Sequence, residues 1–130
     1  MKLYGIANCD TVKRARAWLN EQGLAHDFHD FKKTGAPQEK LAAWLAAVGW
    51  QTLLNRKGTT WRKLAQAERE AVVDAASAQA LMALHTSAIK RPLVEWPDGC
   101  ISVGFEPALW AEMAKTAQLA NRAKTAKSVP

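Results

Sequence analysis

Cys9 is the residue of this sequence best placed to act as a nucleophile. It follows an apolar run at residues 2–7 (KLYGIA), which predicts a short buried strand, and it precedes a helical pattern at residues 11–23. The unpaired N–H groups and partial positive charge at the start of a helix stabilise a thiolate over a thiol. We therefore expect Cys9 to have a lowered pKa and to react near neutral pH.

The neighbours of Cys9 act on its sulfur in opposite directions. Lys13, one turn into the predicted helix, adds positive charge, whereas Asp10 opposes a second negative charge beside it. Asp10 also suits the helix dipole and is a candidate helix cap, and Thr11 is a candidate hydroxyl donor to the sulfur. Asn8 has two interpretations, as a ligand of the substrate or as a hydrogen-bonding residue of the loop. The sequence alone does not rank these effects.

Neither the two cysteines nor the three histidines carry the signature of a metal site. No CxxC or HxxxH pattern is present, and a structural disulfide is not expected in a reducing compartment. Cys100 is expected to be a small buried apolar residue, and the histidines are interpreted as structural: His26, His29 and His85.

Val12 stands where a CxxC motif would have its second cysteine. Cys9 therefore needs an external thiol to reduce any mixed disulfide that it forms. Glutathione is the expected co-substrate, and no bound cofactor is expected.

The composition favours one soluble domain with a tryptophan-rich core. The chain has 130 residues, six of them tryptophan, which matches the size of a single domain. No apolar run approaches the roughly 20 residues of a membrane span. The first residues also lack the apolar stretch of roughly 7–15 residues found in secretory signals. We expect a cytoplasmic protein, and a monomer, since a domain of this kind buries its core without a partner.

The net charge of +6 is concentrated at the C-terminal end. The last sixteen residues carry four basic side chains and no acid, and without them 14 basic residues face 12 acidic ones, a balance of +2. This nearly balanced body argues against nucleic acid as the main partner. Residues 115–130 are predicted to form a basic, flexible tail.

The order of elements predicts an α/β protein with a thioredoxin-like fold. A β-α-β unit comes first, a mostly helical insertion at about residues 37–86 follows, and a β-β-α unit completes a single domain over residues 1–114. The predicted strands cover residues 2–7, 26–31, 93–96 and 101–105, with a turn at 97–99. The predicted helices cover residues 11–23, 37–49, 61–75, 77–85 and 107–120, with a loop at 58–60.

Three separate segments resemble landmarks of the ArsC-like family. They are YGIANCDTVKRARAWL (4–19), LLNRKGTTWRKL (53–64) and IKRPLVEW (89–96), in the family's order, and the resemblance spans about residues 2–114. The family includes arsenate reductases coupled to glutaredoxin, regulators of the Spx type and YffB-type proteins. NCDTVKRAR and GTTWRKL are most similar to the YffB-type branch.

The resemblance implies roles for four residues of this chain. Cys9 matches the family's nucleophile, Arg56 matches a basic residue of its anion pocket, and Arg91 matches the arginine that precedes the family's proline. Two guanidinium groups beside a thiolate can hold a carboxylate or an oxyanion in bidentate fashion. Pro92 is implied to follow a cis peptide bond. Other interpretations stay open, since Arg56 could be a solvated loop charge and Arg91 could only cap a helix end or pair with an acid.

The implied function is that of a glutathione-dependent thiol–disulfide oxidoreductase. Arg56 and Arg91 would bind a carboxylate of glutathione, and Lys57 and Lys90 are interpreted as surface charges. One alternative is arsenate reduction coupled to glutathione and glutaredoxin. Arsenate reductases of the family have a further arginine near SVGFEP (102–107), where this chain has Gly104 and no basic residue.

A second alternative is a non-catalytic binding module of the Spx type that docks on a larger partner such as RNA polymerase. Those regulators commonly carry a CxxC motif, which this chain lacks.

Overall fold

The computed structural model describes residues 1–116, which form four strands and eight α-helices. The strands are β1 (Lys2–Gly5), β2 (Asp27–Asp30), β3 (Leu93–Glu95) and β4 (Ile101–Val103). The helices are α1 (Asp10–Glu21), α2 (Phe31–Thr34), α3 (Gln38–Val48), α4 (Trp50–Leu53), α5 (Thr59–Lys63), α6 (Gln66–Glu70), α7 (Ala75–Leu84) and α8, described over residues 107–116. A short 3₁₀ helix, Thr86–Ala88, follows α7.

The four strands form one mixed sheet in the order β2-β1-β3-β4. β1 and β2 are parallel and are joined by α1, whereas β3 pairs antiparallel with both β1 and β4. At the turn between β3 and β4, the N–H of Gly99 donates to the carbonyl of Trp96 at 2.9 Å. The α/β class and the thioredoxin-like fold predicted from the sequence are confirmed.

Alternating side chains of the sheet separate two hydrophobic cores. Leu3 of β1 and Val94 of β3 pack with α1 and α8, where Trp110 is fully buried. Tyr4 and Leu93, the adjacent residues of the same strands, pack with the helical insertion. The side chains of a strand point alternately to the two faces of the sheet, so each face needs its own layer of helices. Cys9 contacts both cores because it follows β1 at the edge where the two layers meet.

The helical insertion differs from the prediction in how its helices are divided. The helix predicted over residues 61–75 is two short helices, because Leu64 and Ala65 adopt extended backbone angles between them. Thr59 and Thr60, predicted as loop, form the first turn of α5. Phe31, predicted as the end of a strand, begins α2.

The end of β2 has a local cause. The carboxylate of Asp30 accepts the N–H of Lys32 at 2.9 Å and caps α2. A side-chain acceptor at this position satisfies a helix N–H and favours helix over strand.

The last predicted elements are partly described. β4 ends at Val103, two residues earlier than predicted, and α8 begins at residue 107 as predicted. Residues 115 and 116 continue α8, whereas the rest of the predicted tail and the predicted end of this helix at residue 120 lie outside the described residues. Within residues 1–116, no helix has the length and apolarity needed to span a bilayer.

Gly5 allows β1 to approach α1 closely, just before the loop that carries Cys9. A Cβ atom at Gly5 would lie 2.8 Å from Cγ2 of Val12, which is closer than such atoms approach. Gly5→Ala is therefore expected to lower the free energy of unfolding by about 1–3 kcal/mol through overpacking. In the double variant with Val12→Ala the loss should be less than the sum of the two single losses, because the clash is removed. Urea unfolding of all four proteins measures this coupling, and strict additivity would contradict it.

Candidate active site

The backbone of Cys9 positions its sulfur at the start of α1. Cys9 is the residue that caps this helix, with extended angles of φ −138° and ψ 121°, and its carbonyl accepts the N–H of Lys13 at 2.9 Å. The side chain of a capping residue faces the N–H groups of the second and third helical residues. In α1 these residues are Thr11 and Val12. Asp10, a candidate cap from the sequence, is instead the exposed first residue of the helix.

The pKa of the Cys9 thiol is lowered by its surroundings. Partial burial raises this pKa, but the N–H of Val12, the guanidinium of Arg91 and the N–H of Thr11 act in the opposite direction and outweigh the burial. Each of these groups stabilises the thiolate more than the thiol. The direction agrees with the sequence prediction. The contribution of Thr11 comes from its backbone N–H rather than from the hydroxyl that the sequence offered.

Arg91 reaches Cys9 from the loop before β3. Its Nη1 donates to the carbonyl of Ser87 at 2.9 Å, and its Nε is buried without a hydrogen-bond partner among residues 1–116. The peptide bond between Arg91 and Pro92 is cis, as the family resemblance implied. Pro92 is buried, and its carbonyl accepts the N–H of Gly104 at 2.9 Å, which connects the loop to the end of β4.

Two adjacent cavities lie beside Cys9. The first, of about 270 Å³, is lined by residues that include Cys9, Thr11, Asn55, Lys90, Arg91 and Gly104. The second, of about 370 Å³, is lined by residues that include Gln51, Asn55, Arg56, Lys57 and Lys90. Asn55 and Lys90 line both cavities, so the two share a wall. We call them the thiol cavity and the basic cavity.

The structure brings only one of the two predicted arginines to Cys9. Arg91 lines the thiol cavity, whereas Arg56 lines the basic cavity, with its guanidinium 5.2 Å from the ring centre of Trp50. Asn8 and Lys13 are exposed and are not among the lining residues of either cavity.

Sequence reasoning missed Asn55 and took Lys90 for a surface charge. Lys90 is exposed, as expected, but it lines both cavities. The sequence feature that pointed to these two residues is their position next to the predicted arginines, since Asn55 precedes Arg56 and Lys90 precedes Arg91.

The prediction that Cys100 is buried is wrong. Cys100 is exposed in the turn between β3 and β4, where its N–H donates to the carboxylate of Asp98 at 3.0 Å. Its thiol pKa is raised, because a hydrogen bond from the thiol to Asp98 and the negative charge there favour the protonated form. Gly104, which lines the thiol cavity with Cys9, lies four residues after Cys100, at the other end of β4 and about 13 Å away in an extended chain. The two sulfurs therefore lie toward opposite ends of the sheet.

The histidines contact other parts of the fold. Nε2 of His29 lies 3.1 Å from the carbonyl of Gly35, and His85 lies 3.9 Å from the carboxylate of Glu68. None of the three histidines is among the residues lining the thiol cavity. Across residues 1–116 no group of three or more potential metal ligands is found.

Known proteins resemble this chain over most of its length. The profile of the ArsC family matches residues 4–113. An uncharacterized protein from Haemophilus influenzae is 36% identical over 103 residues, which cover 79% of this chain and 89% of the relative. The sequence-based resemblance to this family is thereby confirmed.

Solved structures share both fold and sequence with the chain. A YffB protein is 50% identical, with a TM-score of 0.81 over 86% of this chain and 96% of the other. An ArsC-related protein from Brucella melitensis is also 50% identical, with a TM-score of 0.68 over 84% of this chain and 89% of the other. An arsenate reductase from Vibrio cholerae, 22% identical with a TM-score of 0.72 over 87% and 98% of the two chains, shares the fold.

Proposed function

Because the chain belongs to the ArsC family, we propose that it is a thiol–disulfide oxidoreductase with Cys9 as nucleophile and glutathione as co-substrate. The observation that carries this proposal is the position of the Cys9 sulfur. Cys9 is the N-cap residue of α1 and lines the thiol cavity, and the pKa of its thiol is lowered by helix N–H groups and by Arg91. A thiolate at an accessible helix start is the reactive form of cysteine in disulfide exchange.

The proposed reaction proceeds through two exchanges. The Cys9 thiolate attacks the glutathione sulfur of a mixed disulfide, which forms a Cys9–glutathione disulfide and releases the substrate as a thiolate. A second glutathione thiolate then attacks the glutathione sulfur of this intermediate, which releases oxidised glutathione and restores the Cys9 thiolate. The two exchanges sum to the conversion of the mixed disulfide and one free glutathione thiol into the substrate thiol and oxidised glutathione. Each exchange breaks one S–S bond and forms another, and the proton lost by the free glutathione thiol is taken up, through water, by the released substrate thiolate.

The charges near Cys9 support an anionic thiol as the partner. Arg91 has a buried Nε without a partner among residues 1–116, and Lys90 lines the same cavity. Guanidinium groups bind carboxylates through charge-assisted hydrogen bonds. Glutathione carries two carboxylates and is abundant in the reducing cytoplasm, where we expect this reaction. Glutaredoxin could carry out the same second exchange.

Arsenate reduction receives less support from this site. Gly104 lines the thiol cavity and offers no side chain to an oxyanion. A parallel assay for arsenite formation in the presence of glutathione and glutaredoxin tests this alternative, and we expect no turnover.

The test compares the wild-type chain with Cys9→Ser and Cys100→Ser after incubation with oxidised glutathione. We expect intact-mass measurement to find one glutathione adduct in the wild type and in Cys100→Ser, and none in Cys9→Ser. Cys100 is a matched control, because it is more exposed than Cys9 but has a raised pKa. An adduct that persists in Cys9→Ser and disappears in Cys100→Ser would overturn the proposal. So would the absence of any adduct.

Turnover is measured separately with the mixed disulfide of glutathione and mercaptoethanol as substrate and glutathione as reductant. We expect Cys100→Ser to retain the wild-type rate and Cys9→Ser to fall to the uncatalysed rate. Equal rates in Cys9→Ser and the wild type would mean that the chain is not an oxidoreductase of this kind.

A further inference from the structure

We propose that the thiol cavity and the basic cavity form one binding cleft for an extended disulfide or thiol that carries two anionic groups, with Lys90 as the residue that contacts the ligand in both. One anionic group would lie near Lys90 and Arg91 beside the reacting sulfur, and the other near Arg56 and Lys57. The inference rests on the proposed function for its reacting sulfur and adds the class of ligand and the residues that select it.

Backbone contacts hold the two cavities side by side. The N–H of Asn55 donates to the carbonyl of Ala88 at 2.8 Å, and the N–H of Lys90 donates to the carbonyl of Leu53 at 2.8 Å. These bonds surround the bridge between Leu54 and Ile89, both of which are buried. Because this pairing is buried, the loop that carries Arg56 keeps a fixed position relative to the loop that carries Lys90 and Arg91.

Side-chain contacts also order the basic cavity. The amide oxygen of Asn55 accepts the N–H of Lys57 at 3.1 Å, which shapes the turn between them. The guanidinium of Arg56 lies over the ring of Trp50, a cation–π contact that restricts its position. The cations of this cavity are therefore attached to an ordered loop.

Gly104 leaves room for Lys90 at the junction of the cavities. A Cβ atom at Gly104 would lie 3.5 Å from Cε and 3.9 Å from Nζ of Lys90, so the lysine side chain covers this glycine. The φ of Gly104 is +88°, a value that side-chain-bearing residues rarely adopt. Gly104, the residue that follows β4, thus adds no side chain to the thiol cavity next to Lys90.

Charge and size favour an extended anion over a small one. The residues lining the two cavities include four cations, Arg56, Lys57, Lys90 and Arg91. Within the described part of the chain, no acidic residue lines either cavity. The thiol cavity alone, at about 270 Å³, is smaller than the roughly 300–1,000 Å³ typical of small-ligand sites. The two cavities together fall within that range.

The cleft is tested with probes that react with Cys9 without turnover, in the full chain carrying Cys100→Ser. Iodoacetate and iodoacetamide form a short pair, of which only the first is an anion. Dithiobis(nitrobenzoate) and dithiodipyridine form an extended pair of disulfides, of which only the first carries two carboxylates. The measured quantity is the ratio of the rate with the anionic probe to the rate with its neutral partner, which cancels changes in the reactivity of the sulfur itself.

Variants in the thiol cavity and in the basic cavity should change the rate ratios of the two probe pairs differently. Lys90→Gln should lower the anionic-to-neutral ratio of both pairs by about threefold to fivefold, the size expected for an exposed ion pair. Arg56→Gln and Lys57→Gln should lower the ratio by a similar factor for the extended pair only. Lys63→Gln, which removes an exposed charge of α5 outside both cavities, should change neither ratio. The effects of the cleft variants should weaken at high salt.

Two outcomes would overturn the inference. If Arg56→Gln and Lys57→Gln leave the extended pair unchanged, the basic cavity does not contact the ligand. If Lys90→Gln changes the ratios no more than Lys63→Gln, Lys90 is a surface charge only. The proposed function fails independently, since the expected ratios without any glutathione adduct or turnover would leave an anion-selective cleft around a non-catalytic cysteine.

Discussion

Replacing Arg91 with glutamine is expected to slow the reaction of Cys9 with iodoacetamide about tenfold at neutral pH. The guanidinium lowers the pKa of Cys9 through a hydrogen bond and through its charge, and it does so against the opposing effect of burial. A hydrogen bond to a charged group contributes about 1.5–3 kcal/mol, enough for this loss of thiolate. Because iodoacetamide is neutral, the change in rate reports on the sulfur and not on binding of an anionic probe.

The pH profile separates this effect from damage to the fold. The folded-state pKa of Cys9 lies below that of a free thiol, so the wild-type rate should persist to lower pH than the rate of the variant. Above both pKa values the two rates should converge, because both sulfurs are then fully ionised. Arg91→Lys should give an intermediate profile, and Lys63→Gln should match the wild type. An unshifted profile in Arg91→Gln would show that the helix start alone controls the sulfur.

Replacing Glu95 with alanine is expected to lower the free energy of unfolding by about 2–4 kcal/mol, since each buried donor that loses its partner costs about 1–3 kcal/mol. The Glu95 carboxylate on β3 accepts the hydroxyl of Tyr4 at 2.7 Å and the indole N–H of Trp44 at 3.3 Å. It also pairs with Lys40 at 3.2 Å, and its side chain is 22% exposed. Tyr4 and Trp44 are buried, so their donors would lack a partner in the variant.

The same carboxylate predicts how stability depends on pH. Burial raises the pKa of Glu95, but hydrogen bonds from Tyr4, Trp44 and Lys40 and the charge of Lys40 outweigh it, and the pKa is lowered. A group with a lowered folded-state pKa stabilises the fold above its unfolded-state pKa, and this contribution is lost as the pH falls through the folded-state value. The loss should therefore begin below the ordinary glutamate value of 4.5.

Urea unfolding at neutral pH and at acidic pH checks both statements. In Glu95→Gln, most of the part of the stability difference between neutral and acidic pH that arises from this carboxylate should be lost. Glu39→Gln, at an exposed position of α3, should retain that difference. If Glu95→Gln loses as much stability on acidification as the wild type, another carboxylate causes the loss of stability at acidic pH.

Local sequence was sufficient for the parts of the site that depend on neighbouring residues. A buried strand, a capping position and an amphipathic helix follow one another between residues 2 and 21, so Cys9 could be assigned to a helix start before any tertiary contact was known. The turn at residues 97–99 was predictable for the same reason, since its proline, aspartate and glycine specify a turn over a few residues. The family resemblance added the cis bond before Pro92.

Contacts between segments that are distant in the chain could not be predicted from local sequence patterns. Leu64 and Ala65 adopt extended angles and divide a region whose composition predicted one continuous helix, and Leu64 packs against the core of the insertion. Cys100 was expected in the core, but the turn that it occupies holds it in solvent.

The sequence by itself determined that the chain has an α/β thioredoxin-like fold with a cysteine at the first helix start, because these features follow from periodicity and from capping within short segments. Only the tertiary structure decided which cation reaches that cysteine. Arg91 comes to Cys9, Lys90 lines the same cavity and Arg56 lines the neighbouring one, because buried pairing between Leu54 and Ile89 sets the two loops side by side. That pairing joins residues far apart in the chain, and no local pattern records it.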